Sequence, residues 1–215
     1  MATGDKMATE IKADVFEIIR NVKIVPVIKL DSVEQAVPLA EALFNGGIPV
    51  SEVTFRTSAA AASISAIRKA LPQMIVGAGT VINTEYARLA IDAGAQFIVS
   101  PGFNLETIKY VQSFALPMIP GVATPSEIEV ALCNGLDVLK LFPAEVLGGT
   151  KMLDALKGPF PHVKFLPTGG INEKNMLEYL NKKNVLAVGG SWMISPDFNQ
   201  VTELCIQAKN QLNLK

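Results

Sequence analysis

The sequence contains few of the residues from which disulfide frameworks and metal centres are built. Its 215 residues include two cysteines and one histidine. Cys133 and Cys205 fall in segments with a helical pattern, and His162 lies in a predicted loop. A disulfide framework, a histidine-clustered metal site and a Ser–His–Asp triad are therefore disfavoured.

An excess of one charge and long apolar runs are also missing. Nineteen Lys and Arg face twenty Asp and Glu, so nucleic acid and anionic membranes are poor partners, and a small molecule is expected instead. The N-terminus lacks the apolar core of a secretion signal, and no later stretch is long and apolar enough to span a bilayer, which favours the cytoplasm. Residues 1–7 are expected to be disordered or a remnant of cloning, because Met7 is a second methionine.

The chain alternates between short Val/Ile-rich runs and amphipathic segments, eight times over. Eight units at a spacing of about 20 to 26 residues predict an α/β fold, a (β/α)8 TIM barrel, preceded by an additional helix near residues 8–22. Residues 8–215 are expected to form this single domain. An open doubly wound sheet is the alternative, disfavoured because a Rossmann fingerprint is missing. The predicted strands are 23–29, 50–55, 74–80, 96–100, 116–121, 137–142, 163–168 and 185–190.

Polar residues late in each strand, or just after it, are the candidates for chemistry, since parallel strands of both architectures carry their sites at their C-terminal ends. This rule selects Lys29, Glu52, Thr54, Arg56, Thr57, Thr80, Ser100, Lys140, Glu145, Thr168 and Ser191.

A lysine interrupts the apolar run "DVLKLF" of the sixth predicted strand. Because side chains alternate along a strand, Val138, Lys140 and Phe142 share the face that points into a barrel. A low-dielectric interior favours the uncharged amine, a nucleophile toward carbonyl carbons, so this position favours Schiff-base chemistry. Two structural explanations stay open: Lys140 pairs with a barrel carboxylate as internal packing, or a one-residue register shift turns it outward.

The second predicted strand contributes "SEVTFRT", in which Glu52, Thr54 and Arg56 lie on one face. A carboxylate there can move protons during imine formation and hydrolysis, and an arginine can bind a substrate carboxylate through two parallel hydrogen bonds. An internal Glu52–Arg56 ion pair is the structural alternative. A carboxylate-only Mg²⁺ site would have only Glu145 to join Glu52 among the strand ends.

Glycine-rich turns follow the last two predicted strands, "PTGGIN" (167–172) and "VGGSW" (188–192). Barrels commonly hold phosphate at this place through loop amides and a helix N-terminus, although Gly-Gly pairs are also common simply as turns. "GAGT" (77–80), after the third strand, leaves room around a ligand and offers Thr80 as a hydrogen-bonding group.

These motifs resemble one family in their order and spacing. "SEVTFRT", "VGAGTV", "GAQFIVSPG", "PMIPGVATPSE", "LKLFPAE", "GPFPHVKFLPTGGI" and "VGGSW" are similar to the 2-keto-3-deoxy-6-phosphogluconate (KDPG) / 4-hydroxy-2-oxoglutarate (KHG) aldolase family, from about residue 10 to residue 210. The resemblance implies a homotrimeric barrel of carbohydrate metabolism, on the Entner–Doudoroff pathway. It also implies class I aldol cleavage to pyruvate, without a cofactor or metal.

The resemblance also implies residue roles. Lys140 would form the imine and Glu52 would be the acid/base group. The substrate would be bound by Arg56, Thr80, Pro101, Phe142 and Thr168, with Lys29 standing where some members have arginine. Gly169, Gly170, Gly190 and Ser191 would bind the phosphate.

Three questions stay open at this level. KDPG is the favoured substrate because "RT" and "GGSW" are retained, KHG is a second one, and phosphogalactonate-type substrates rank lower. A phosphate-binding isomerase or epimerase would use Lys140 without a covalent bond. A catalytically silent sugar-acid-binding barrel would have lost Glu52 or Lys140, and the sequence retains both.

Overall fold

The computed structural model describes residues 15–213, so the expectation for residues 1–7 lies outside the described part. Of the predicted first helix, residues 15–22 are helical, and residues 8–14 also lie outside. The strands are β1 (Ile24–Ile28), β2 (Val50–Thr54), β3 (Ile75–Gly79), β4 (Ile98–Val99), β5 (Met118–Ile119), β6 (Gly121–Val122), β7 (Val138–Leu141), β8 (Lys164–Phe165) and β9 (Val188–Gly190).

Helices lie between the strands. They are α1 (15–22), α2 (Ala36–Asn45), α3 (Ala60–Ala70), α4 (Thr84–Asp92), α5 (Leu105–Ser113), α6 (Pro125–Cys133), α7 (Gly149–Lys157), α8 (Met176–Leu180) and α9 (Phe198–Asn213). A 3₁₀ helix, Val33–Gln35, immediately precedes α2. The predicted alternation of strands and helices is confirmed.

The strands are parallel and form a closed ring. Six of them pair in the order β5-β4-β3-β2-β1-β9, and three in the order β6-β7-β8. Isolated bridges from Phe165 to Val185 and from Thr168 to Gly189 join the β8 side to the β9 side. At the other junction, Pro120 divides one predicted strand into β5 and β6, each paired to a different neighbour. The predicted barrel is confirmed, and the open doubly wound sheet is wrong.

The strands are buried on both faces, which explains their near-continuous Val/Ile composition. All five residues of β1 and of β2 are buried, as are the four residues of β7. Outward side chains pack against the helices, and inward ones fill the ring. The polar side chains on these strands are therefore enclosed by a large apolar core.

The start of α2 differs from the sequence expectation. The run beginning at Asp31 and Ser32, with Glu34 behind them, predicts a side-chain cap. The Ser32 hydroxyl instead donates to the Glu34 carboxylate at 2.6 Å and makes no hydrogen bond to the helix backbone. The first turn is a 3₁₀ turn, and Pro38 follows within the first turn of the α-helix, where its missing N–H costs no intrahelical bond.

The start of α6 carries a reciprocal cap. The Thr124 hydroxyl accepts from the Glu127 N–H, and the Glu127 carboxylate accepts from the backbone N–H groups of Ala123 and Thr124 at 2.8 Å each. Burial alone would raise the pKa of Glu127. The hydrogen bonds from the Ala123 backbone and from the Thr124 side chain and backbone outweigh it, so the pKa of Glu127 lies below 4.5.

We expect Glu127→Gln to lower the free energy of unfolding by about 0.5–1 kcal/mol at pH 7, because the amide accepts these hydrogen bonds more weakly than the carboxylate. The folded-state pKa is depressed, so the charge contributes stability above the unfolded pKa, and that contribution is lost as the pH falls through the folded pKa. The difference between the two proteins should therefore shrink below pH 4.5. Urea titrations across this range measure it, with Glu129→Gln on the same helix as control. An equal pH dependence in the control variant would contradict the assignment.

The two cysteines and the single histidine of the sequence lie away from the ring interior. Cys133 is exposed on α6 and Cys205 is buried on α9, and both are free. Burial raises the pKa of Cys205 to about 12, so its thiol stays protonated. His162 is exposed before β8. Within residues 15–213, no helix has the length and apolar character needed to cross a membrane.

Candidate active site

Two charged side chains meet inside the barrel. Lys140 on β7 and Glu52 on β2 are 88 residues apart in the chain, and their Nζ and Oε1 atoms lie 3.3 Å apart. Lys140 is 4% exposed and Glu52 is fully buried. The structure thus turns Lys140 inward, and the register-shift alternative is wrong. Lys140 does pair with a barrel carboxylate, as the structural alternative expected. The ion pair by itself therefore fits both a structural and a chemical role.

Glu52 is held in a space that β3 leaves open. A Cβ on Gly79 would lie 2.1 Å from Glu52 Oε1, and one on Gly77 would lie 2.3 Å from the ring of Phe97. Glycine at both positions of this face therefore allows a carboxylate and an aromatic ring inside a narrow ring of strands. Glu52 Oε2 has no hydrogen-bond partner among the described residues. One carboxylate oxygen thus contacts the amine, and the other is buried without a protein partner among the described residues.

A cavity of about 460 Å³ opens at the C-terminal ends of the strands. Phe142 forms part of its wall, and its ring centroid lies 5.4 Å from Lys140 Nζ. Lys140 precedes Phe142 by two residues on the same strand face, so its side chain starts deeper in the ring than the Phe142 side chain that lines the cavity. The lining residues are Val27, Lys29, Arg56, Phe142, Thr168, Gly169, Gly170, Ile171, Gly190, Ser191 and Ile194.

Of the eleven strand-end candidates, four line the cavity: Lys29, Arg56, Thr168 and Ser191. Arg56 Nε donates to Thr80 Oγ1 at 3.3 Å, so Thr80 adjoins the cavity through that arginine. Lys29 pairs with Asp31 at 2.6 Å, in an ion pair open to solvent. Arg56 does not pair with Glu52, so the expected alternative of an internal Glu52–Arg56 ion pair is wrong. Two cationic groups therefore stand at the cavity wall.

Other candidates have different contacts. Three hydroxyls donate to backbone carbonyls: Thr54 to Ile28, Thr57 to Leu30 and Ser100 to Gly102. The two threonine bonds fasten the end of β2 to the end of β1, and the serine bond lies within the turn after β4. Pro101 lines a separate depression of about 220 Å³ with Val81, Ile82 and Phe103. Glu145 accepts a hydrogen bond from the Tyr179 hydroxyl. Among the described residues, no three His, Cys, Asp or Glu side chains form a group that could hold a metal ion.

Three apolar lining residues were not among the sequence candidates. Val27 lies two positions before Lys29, so the period of two along β1 could have indicated it. Ile171 follows the Gly169–Gly170 turn, and Ile194 follows the turn after β9. No sequence signal distinguishes these two isoleucines from core residues, because their place depends on loop conformation.

The glycine-rich turns offer backbone donors to this cavity. Gly169 and Gly170 have φ of +99° and +84°, a region that favours glycine. The backbone N–H groups of Gly169, Gly170, Ile171 and Ser191 donate to no other described residue. Amides of this kind bind anions. One wall of the cavity thus carries backbone N–H groups that no described residue engages, and a buried amine and carboxylate lie next to the Phe142 side of it.

Comparison with known proteins gives consistent results. A family model described as "KDPG and KHG aldolase" matches residues 15–206. The 2-dehydro-3-deoxy-phosphogluconate aldolase of Treponema pallidum (strain Nichols) is 50% identical over 199 residues, covering 90% of this chain and 95% of that protein. The KHG/KDPG aldolase of Escherichia coli (strain K12) is 44% identical over 191 residues, covering 86% and 90%.

A solved structure is also similar over almost the whole chain. The KDPG aldolase of Legionella pneumophila, with pyruvate captured at low pH as a covalent carbinolamine intermediate, superposes with a TM-score of 0.87. It is 43% identical, and the match covers 90% of this chain and 97% of that one.

Proposed function

The chain belongs to the KDPG and KHG aldolase family, and on that premise we propose that it cleaves KDPG reversibly to pyruvate and glyceraldehyde 3-phosphate. It is a class I aldolase, a carbon–carbon lyase that works through a Schiff base. The observation that carries the proposal is the 3.3 Å contact between the Lys140 amine and the Glu52 carboxylate, next to a cavity with unengaged backbone N–H groups. KHG, which would give pyruvate and glyoxylate, is the second substrate, because one relative bears the name of both activities.

Lys140 is proposed as the nucleophile. Transfer of one proton along the Lys140–Glu52 contact gives a free amine and a carboxylic acid. The amine adds to the C2 ketone, and loss of water leaves a protonated imine. The imine takes up the electron pair of the C3–C4 bond as the C4 hydroxyl loses its proton, which yields the aldehyde and an enamine. Protonation at C3 and hydrolysis then release pyruvate and the free lysine.

Glu52 is proposed as the acid/base group of these steps. It is the only buried carboxylate among the described residues, and its Oε1 faces the amine. A single carboxylate at this position can accept the hydroxyl proton and return a proton to C3, through a water or directly.

The cavity wall is proposed to bind the two ends of the substrate. Arg56 and Lys29 supply positive charge, Thr80 and Thr168 supply hydroxyls, and Phe142 supplies an apolar wall. Pro101, which lines a separate depression, is also proposed to contact the substrate. The phosphate is bound by backbone at Gly169, Gly170, Gly190 and Ser191.

The wider context is also proposed. Residues 8–215 act as one catalytic domain, in the cytoplasm, as a homotrimer of the Entner–Doudoroff pathway. The partners are 2-oxo sugar acids and pyruvate, with no nucleic acid, membrane or metal. Relatives that match 80% or more of the chain are named as KDPG or KHG/KDPG aldolases, which supports these substrates. Sedimentation of the pure protein tests the trimer.

Pyruvate release from KDPG and from KHG, measured in a coupled assay, tests the proposed function. Release from neither would contradict it. The isomerase alternative predicts interconversion of a sugar phosphate without pyruvate, so the same assay separates the two activities.

We expect Gly79→Ala to slow pyruvate release by about 100-fold, because a misplacement of roughly 1 Å in a catalytic group has this effect. The added Cβ would lie 2.1 Å from Glu52 Oε1 and 2.6 Å from its Cγ, so the carboxylate must move. Gly158→Ala is the matched control, since its Cβ would meet nothing closer than 3.9 Å. Equal rates for the two variants would show that the position of Glu52 is not critical.

A further inference from the structure

The glycine turn that lines the cavity is held by three consecutive carbonyl groups. Each carbonyl accepts a hydrogen bond from a group outside the turn. The bonds are Ala144 N to Thr168 O (2.8 Å), Glu145 N to Gly169 O (3.1 Å) and Asn175 Nδ2 to Gly170 O (3.0 Å). The segment just after β7 and the residue before α8 therefore fix the orientation of three successive peptide planes.

Fixing the carbonyls fixes the amides. In a trans peptide, the C=O of one residue and the N–H of the next point in opposite directions. The N–H groups of Gly169, Gly170 and Ile171 are thus directed away from these anchors, and the same three residues line the cavity. The anchors therefore lie on the side of the turn that faces away from the cavity, which we call its back, and the three N–H groups lie on the cavity side, its front.

The Glu145 side chain supports the turn from behind. A Cβ on Gly170 would lie 2.4 Å from Glu145 Cγ and 2.6 Å from its Cβ, so the Gly170 backbone packs directly on the stem of Glu145. The Glu145 carboxylate accepts the hydroxyl hydrogen of Tyr179 on α8. A Cβ on Gly149 would lie 2.8 Å from this hydroxyl oxygen. The pair is thus enclosed between two glycines with positive φ.

Tyr179 is suited to hold Glu145 in one place. Its side chain is 1% exposed. Burial raises the pKa of Tyr179, and the hydrogen bond to Glu145 raises it further, so the hydroxyl stays protonated and donates at all physiological pH values. The carboxylate is thereby kept behind the turn, away from an anion bound by the amides in front.

We propose that Tyr179, acting through Glu145, is a positioning residue that sets the affinity of the glycine turn for the phosphate group of the substrate. Neither residue lines the cavity. Without the Tyr179 hydroxyl, the Glu145 side chain loses the hydrogen bond that keeps its stem against Gly170, and its negative charge is free to approach the anion. This inference rests on the proposed function for the identity of the ligand, and concerns affinity at one end of it.

The test measures the two ends of the substrate separately. Inorganic phosphate is titrated calorimetrically into the wild-type protein, Tyr179→Phe and Tyr110→Phe, a tyrosine of α5 that serves as matched control. In parallel, the pyruvate concentration that half-saturates borohydride trapping is measured for each protein. Loss of one buried hydrogen bond should weaken phosphate binding by about 3- to 10-fold in Tyr179→Phe, relative to the change in pyruvate half-saturation.

A second pair of variants keeps the test valid where Tyr179→Phe folds poorly. Glu145→Ala and Glu145→Gln both remove the charge, but only Gln keeps the stem and an acceptor for Tyr179. Phosphate should bind about 3- to 10-fold more weakly to the Ala variant than to the Gln variant.

Equal phosphate affinity in the Ala and Gln variants, or an equal loss for phosphate and pyruvate in Tyr179→Phe, would overturn the inference. So would a wild-type protein that binds no phosphate. Absence of pyruvate trapping in the wild type would instead count against the proposed function, while the phosphate titrations would still decide the role of the anchor.

Discussion

Lys140→Ala is expected to abolish pyruvate release, with a loss of at least about 10⁴-fold, because the residue proposed to form the covalent bond is removed. Sodium borohydride added with pyruvate should reduce the imine of the wild-type protein and leave one pyruvyl-derived mass on the peptide that contains Lys140. Mass spectrometry of the digest measures this adduct.

Two controls make this result specific. Lys140→Arg keeps a positive charge beside Glu52 but offers a guanidinium that is not a nucleophile at neutral pH, so it should be as inactive as the alanine variant. Lys164→Ala removes a lysine of β8 whose Nζ donates to the Lys183 carbonyl, and it should keep both activity and adduct. An adduct on another lysine, or none at all, would refute the imine and favour the isomerase alternative.

Glu52→Gln is expected to bind substrate and slow turnover by about 10²- to 10⁴-fold, the usual contribution of a positioned general acid or base. Glutamine has nearly the same shape, so the space beside Gly79 stays filled, but the amide cannot take up the proton. Steady-state kinetics should show kcat falling far more than KM rises.

The borohydride reaction separates the steps in this variant. A slow appearance of the pyruvyl adduct on Lys140 at saturating pyruvate would place Glu52 in imine formation itself. Normal trapping with slow pyruvate release from KDPG would place it in later proton transfers. A Glu52→Gln variant with unchanged kcat would remove Glu52 from the mechanism altogether.

The sequence predicted the barrel because its signals are local. Each strand is buried on both faces, so Val and Ile runs mark it, and the period of two assigns Lys140 and Glu52 to the inner face. Closure of the strand ring has no comparable signal in the sequence. The ring closes through two isolated bridges, including Thr168 to Gly189, and such sparse pairing leaves no composition signal.

The site was predictable only in part. Strand ends can be read from sequence, and eight of the eleven lining residues had been named as candidates for substrate or phosphate binding, while Lys140 and Glu52 were placed inside the ring. Hydroxyls such as those of Thr54 and Ser100 were equally good candidates, but they are engaged by backbone carbonyls, which depends on strand register and loop path. The partnership of Glu145 with Tyr179 joins segments 34 residues apart and has no pattern in the sequence.

The Lys140–Glu52 pair also bears on how such a barrel can evolve. Two charges deep in an apolar ring recover little net stability, because their mutual attraction is offset by the loss of hydration, and replacing a buried ion pair with matched apolar side chains often gains about 1–4 kcal/mol. Selection for chemistry must therefore retain the pair against a thermodynamic preference for leucine or methionine. A descendant released from that selection would be expected to accumulate apolar residues at these two positions and to become thermally more stable.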